Sequence, residues 1–381
     1  MRLPLGRRSG GGNDVTRHVR VDVDGDYLVA TTEALCEIPS PTGYTDGAVR
    51  FVVERFKALG LDARRTVKGA IVVSLPGGRE GSKGDRTLSA HVDTLGAMVK
   101  DIKPNGRLKL TRIGGYDWAT IEGEYCTVHT AAVVGSREAV TGTVLTVKAS
   151  SHVHGRALAA QKRDEDSMEV RLDARATTAG AVRDLGVEVG DFVSFDARTV
   201  VTDDGFVKSR HLDDKAGVAI LLGVAKAVVA RKVELAVPAH LFISTFEEVG
   251  HGSSAGLPAK TRELIAVDMA AVGTGQTSDE FSASVCVKDA SGPYDRPLSR
   301  QLIDLAQARD IACRIDVYPD YASDVSQALR AGWDVRGALV GPGVDASHSF
   351  ERTHREALEA TAQLLLAYVT SPMLANEGII E

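Results

Sequence analysis

The sequence predicts an α/β fold: a three-layer α/β domain interrupted by a β-barrel-like insertion. Helical periodicity alternates with short strand-like runs at both ends of the chain. Residues 95–206 differ, holding short β-rich runs separated by turns. His, Asp and Glu also recur just after short apolar segments, where an open α/β sheet gathers its ligands.

Residues 27–36 and 45–59 carry helical periodicity on either side of the breaker Ile38-Pro39-Ser40-Pro41-Thr42-Gly43. Strands are expected at 71–74 and 88–91. The β-rich middle shows runs at 123–129, 142–147 and 186–194. From Asp213 helices and strands alternate again, with the clearest helices at 216–230 and 355–369. Expected domains are a tail at 1–20, an α/β domain from 21–94 and 207–381, and an inserted β-rich domain at 95–206.

Of 381 residues, 44% are hydrophobic and 25% charged, the balance of a globular protein with a sizeable core. The 45 basic and 51 acidic residues are intermingled, so no basic face invites nucleic acid. No extended apolar run suits a membrane span. Cys36, Cys126, Cys286 and Cys313 lie far apart and are read as buried free thiols of a reducing compartment. The first thirteen residues lack the apolar core of a signal peptide and read as a mobile tail, which together imply a cytoplasmic protein.

Glu247-Glu248 closes the apolar run 240–246. Adjacent carboxylates repel, so at the mouth of a buried strand they need cations or a shared proton to separate their roles. Four more segments place ligand-type residues after apolar runs: His91-Val92-Asp93, Asp213-Asp214, Asp268, and Asp345-Ala346-Ser347-His348. Hydrolysis at two divalent ions needs such a set, because one carboxylate bridges the ions and each ion takes terminal ligands. Two His, two Asp and one Glu supply that shell; the Glu left over is a general base.

His91-Val92-Asp93, Leu212-Asp213-Asp214-Lys215-Ala216-Gly217, Glu247-Glu248-Val249-Gly250, Ala266-Val267-Asp268 and His348-Ser349 resemble, in order, the five motifs of the tetrahedral aminopeptidases. These are the dinuclear glutamyl and deblocking aminopeptidases, some once labelled cellulase M. The resemblance covers roughly residues 25 to 370. It implies a three-layer zinc-peptidase fold, with Asp213 bridging two metals, His91 and Asp268 on one ion, and Glu248 and His348 on the other. Glu247 would be the base that activates water and passes the proton to the leaving amine. Asp93 would orient the His91 imidazole, as metal-bound histidines commonly require. The resemblance further implies a cis peptide between Asp213 and Asp214, a dimerising role for the insertion, and a twelve-subunit tetrahedral homo-oligomer. Zinc suits the mixed ligands, with cobalt or manganese as alternatives.

Other residues invite weaker readings. His152-Val153-His154 has strand spacing that puts both rings on one face, a solvated or interface strand in preference to a second metal site. His211 lines the pocket or packs; His251 and His354 read as ordinary polar residues. Residues 287–294 and 321–324 resemble loops bordering the family's cleft, with a turn set by Ser291-Gly292-Pro293 and a helix N-cap at Ser323 or Asp324. Residues 36–44 and 209–214 look like a bacterial subgroup associated with the osmolyte N-acetylglutaminylglutamine amide. The expected activity is removal of N-terminal residues from short peptides. Alternatives are a metal-dependent deacylase or amidase on an N-blocked small amide, or a metal-bound assembly protein that has lost activity. A glycosidase leaves the histidines without purpose.

Overall fold

A computed structural model describes residues 22–79, 81–130 and 139–374. At its centre four parallel strands run in the order Ala239–Ser244, Asp85–His91, Thr261–Val267 and Arg336–Asp345. All seven residues of Asp85–His91 are buried, as befits a parallel strand covered on both faces. Helices Gly25–Cys36, Leu212–Arg231 and Arg355–Thr370 pack over one face, joining Leu28, Leu221 and Leu365 to the strand residues Leu88 and Ile265. The opposite face carries the short helix Asp324–Arg330, where Val325 and Ala328 meet Leu264 and Leu339.

The helices begin where local chemistry satisfies their free N–H groups. Asp24 accepts from Tyr27 N, and Ser323 forms a capping box with Ser326. His354 caps Arg355–Thr370 by accepting from Glu356 N, so this residue is a structural cap rather than a generic polar side chain.

Between the Asp85–His91 strand and the strand Phe206–Ser209 lies a closed six-stranded barrel. Its strands follow the order Gly96–Ile102, Leu108–Ile113, Met168–Leu172, Ala139–Thr146, Tyr125–His129 and Phe192–Phe195, the last pairing back to the first. Inward positions such as Val99, Leu110, Val128, Val144, Val170 and Val193 give it a core of its own. The expected α/β fold with a β-barrel insertion is therefore present. The run 186–194 becomes regular strand only at its end, where Phe192–Phe195 begins after a turn at Gly190 with φ 99°.

The His152-Val153-His154 strand is corrected: Ser151–His154 is a single exposed helical turn stopped by Gly155 at φ 53°. Helical backbone removes the alternation that would have aligned the two rings. Cys36, Cys126 and Cys286 are buried free thiols, whereas Cys313 on its outer strand is only half-buried. The expected tail at 1–20 lies outside the described residues. No helix among the described residues is long and apolar enough to cross a membrane.

One buried cluster, invisible in the sequence, locks the last helix to the sheet. Arg86, wholly buried, pairs with Glu263 at 2.8 Å and donates to the carbonyls of Tyr368, Ser371 and Pro372. Tyr368 hydroxyl donates to Glu263 at 2.6 Å, and its ring lies under the Arg86 guanidinium. Removing one partner strands the other charge, so Arg86→Ala should destabilise the fold by about 3–5 kcal/mol. The paired replacement Arg86→Met/Glu263→Leu should cost less; urea midpoints of the three proteins check this order.

Candidate metal centre

The parallel register gathers the site. Ser244 lies opposite His91 and Ala266 opposite Ser89, so the Glu247-Glu248 turn and Asp268 emerge at the same carboxyl edge as His91. Asp213 arrives from outside the parallel strands, just after the strand Phe206–Ser209. His348 follows the long strand Arg336–Asp345 and has φ 62°, a left-handed conformation costly for a non-glycine residue.

The consecutive aspartates divide their work. Their peptide bond is cis, as the resemblance implied, and both have non-helical backbone before the regular helix begins. Asp214 Oδ1 accepts from Gly217 N at 3.1 Å, the role of a helix cap, while Oδ2 accepts from His91 N at 3.1 Å. Gly217 is required there, because a Cβ would meet Asp214 Oδ1 at 2.2 Å and Val267 O at 2.4 Å. Asp213 is left to face the cleft.

Its two oxygens point to different partners. Asp213 Oδ1 lies 2.9 Å from His91 Nε2, and Oδ2 lies 3.2 Å from His348 Nε2. His91, Asp213 and Asp268 bring ligand atoms within 4.8 Å of one another, and Asp213, Glu248 and His348 do the same. His348 Nε2 is 3.7 Å from Glu248 Oε2, and His91 Nε2 is 3.9 Å from Asp268 Oδ2. All five sequence-predicted ligands therefore converge, with Asp213 shared.

Main-chain groups orient both rings. His91 Nδ1 is 2.9 Å from Asp93 O, and His348 Nδ1 pairs with the carbonyl of Gly115, which the barrel contributes. The Asp93 carboxylate has other work: it accepts from Thr42 Oγ1 at 2.7 Å and from the N–H groups of Glu247 and Glu248 at 3.2 and 3.3 Å. Its nearer oxygen is 3.7 Å from His91 Nδ1. Asp93 thus meets the imidazole through its carbonyl, and its carboxylate shapes the Glu247-Glu248 turn.

Electrostatics favour cations in this centre. Burial pushes Glu248 up to about 8 and Asp268 up to about 7, the Asp213 charge adding to each. Burial likewise raises Glu247. Against the upward push of burial, hydrogen bonds from His348 and His91 hold Asp213 below the ordinary carboxylate range. Glu248 Oε1 is buried without a hydrogen-bond partner. Divalent ions would relieve both the repulsion and the missing partner, so the donor set fits hard or borderline metals.

Several site residues had escaped the sequence reading. Glu351, three residues past His348, accepts from Asp213 N at 3.1 Å and His348 N at 3.0 Å, clamping both backbones. Gln327 donates to Glu247 Oε1 at 2.6 Å. Glu351 had a signal in its spacing from His348; Gln327, within an ordinary helical run, had none. His211 lies buried at φ 71° with Nε2 3.4 Å from Phe195 O, and burial pulls it down to about 3. It borders a small cavity beside Asp213, between barrel and sheet, with Arg210 and Tyr116. His251 stacks on Phe246 outside the ligand groups. Ser323 is the N-cap and Asp324 the first residue of its helix, while Asp289 holds the Ser291-Gly292 turn through both N–H groups.

Comparison with known proteins identifies the family and the fold. A model of the M42 glutamyl aminopeptidase family matches residues 69–364. A Bacillus subtilis (strain 168) protein carrying the name aminopeptidase YhfE is 47% identical over 340 residues, 89% of this chain and 96% of that protein. Among solved structures, the TET1 peptidase of Pyrococcus horikoshii, which assembles into a tetrahedron or a large octahedral shell, superposes with a TM-score of 0.78 at 20% identity. That match covers 90% of this chain and 99% of the other. Aminopeptidase APDkam598 from the archaeon Desulfurococcus kamchatkensis gives 0.79 at 20% identity, covering 91% and 95%. The chain belongs to the M42 glutamyl aminopeptidase family and is a peptidase.

Proposed function

We propose that this protein is a dinuclear metal-dependent aminopeptidase that releases N-terminal residues from short peptides. The observation that carries the proposal is Asp213, which belongs to both groups of ligand atoms and turns one carboxylate oxygen to His91 and the other to His348. In this reading His91 and Asp268 hold one ion, Glu248 and His348 the other, and Asp213 both. Two such ions polarise a scissile carbonyl and acidify water at neutral pH. Zinc is our assignment for both, with cobalt or manganese able to use the same donors.

Glu247 stays outside both ligand groups. In this reading its Oε2, 3.9 Å from His91 Nε2, would take a proton from the attacking water and return it to the leaving amine. Asp93 supports this as a positioning residue, holding the N–H groups of Glu247 and Glu248 and presenting its carbonyl to His91. Glu351 fixes the backbones that carry Asp213 and His348.

The assembly named for the Pyrococcus relative supports a homo-oligomer here, with the barrel, roughly the 95–206 insertion, as the dimerising unit. The free thiols support a cytoplasmic location.

A matched substrate pair tests the activity. Unblocked dipeptides should release free amino acids, their N-acetylated counterparts should not, and a chelator should abolish release. Preference for the acetylated series, or for N-acetylglutaminylglutamine amide, would instead establish the amidase. Inactivity of the metal-loaded protein on every substrate would leave only an assembly role.

A further inference from the structure

We infer that Gln327 is the positioning residue that sets the orientation of Glu247, an inference resting on the reading of Glu247 as general base. Gln327 is only 3% exposed and lies on the helix Asp324–Arg330, beneath the turn that carries Glu247. Its Nε2 donates to Glu247 Oε1 at 2.6 Å and to Glu247 O at 3.0 Å, while its Oε1 accepts from Gly252 N. The amide has one workable orientation. Turned over, its NH2 would oppose the Gly252 N–H and its oxygen would face two acceptors.

The same helix grips the turn again through Asp324 Oδ1, which accepts from Ser253 N at 2.8 Å. From the other side Lys68 Nζ reaches Gly252 O at 3.0 Å and Ser254 Oγ at 3.1 Å. These contacts hold the turn around Gly252; among them only the Gln327 amide also donates to the Glu247 carboxylate. By occupying Oε1 it leaves Oε2, on the His91 side, as the oxygen that exchanges the proton. A base held in one rotamer needs no reorientation before proton transfer.

The role predicts a kinetic pattern different from that of a packing residue. Gln327→Met keeps the volume and removes the donor; Gln327→Leu removes it with a side chain of similar size. Each variant should lose about 10–100-fold in kcat, with KM within about twofold and metal content per chain unchanged. In a Glu247→Gln background, Gln327→Met should leave the residual rate unaltered, because its effect passes through the carboxylate already lost. Folded variants with wild-type kcat, metal loss in proportion to activity, or a further loss in the Glu247→Gln background would each overturn the inference. If Glu247→Gln alone stays fully active, the base assignment itself fails, a result distinct from any of these.

Discussion

Glu247→Gln should lower kcat by about 10²–10⁴-fold, the range that general acid–base catalysis supplies, equivalent to about 3–5 kcal/mol of transition-state stabilisation. Glutamine keeps the size of the side chain and the contact from Gln327, but its amide cannot hold a proton in transit. Metal content and KM should stay near wild type, since Glu247 lies outside both ligand groups. This separates two roles that adjacency conceals. Glu248→Gln removes an oxygen 3.7 Å from His348 Nε2, and its loss of activity should track loss of metal. Single-turnover rates measured beside metal content distinguish them, and full activity of Glu247→Gln would exclude it as base.

Asp213→Asn should be the most damaging replacement among the ligands. Every other predicted ligand belongs to one group, whereas Asp213 belongs to both, so a neutral amide there weakens both sites together. Metal content should fall below that of His348→Ala, in which the His91–Asp213–Asp268 group persists. Activity should fall further than the about 10–100-fold typical when outer partners of a metal site are lost. Metal titration of the two variants checks this ranking. Equal retention of metal in Asp213→Asn and wild type would refute the shared position.

Ligand-type residues stood out in sequence because His91, Glu248 and Asp268 follow buried apolar runs, and the carboxyl ends of parallel strands are where such residues meet; the resemblance to the tetrahedral aminopeptidases supplied the assignment of the five, Asp213 included. The fold class was legible from the change between helix–strand alternation and turn-rich β segments. Boundaries were less so. The run 186–194 looks uniformly strand-like, but regular strand begins only at Phe192, after a turn at Gly190 whose N–H donates to Val99 O. The His152-Val153-His154 spacing suits a strand, yet an exposed segment with no neighbouring strand among the described residues closed into a helical turn instead.

The chain's own residue order determined the fold class and, through motifs resembling those of the tetrahedral aminopeptidases, pointed to the five side chains that assemble at the centre, since buried strands and their polar ends leave a pattern in one dimension. Tertiary structure alone decided which oxygen of Asp213 serves which histidine, and that Asp93 uses its carbonyl for His91 and its carboxylate for the Glu247-Glu248 turn. It also decided the buried Arg86–Glu263 pair and the reach of Gln327 to Glu247. Arg86 and Glu263 are 177 positions apart, and Gln327 and Glu247 are 80 apart. The physical reason is that hydrogen bonds depend on angles and distances of a few ångströms, set only when separate elements pack, whereas hydrophobic periodicity is already present in the unfolded chain.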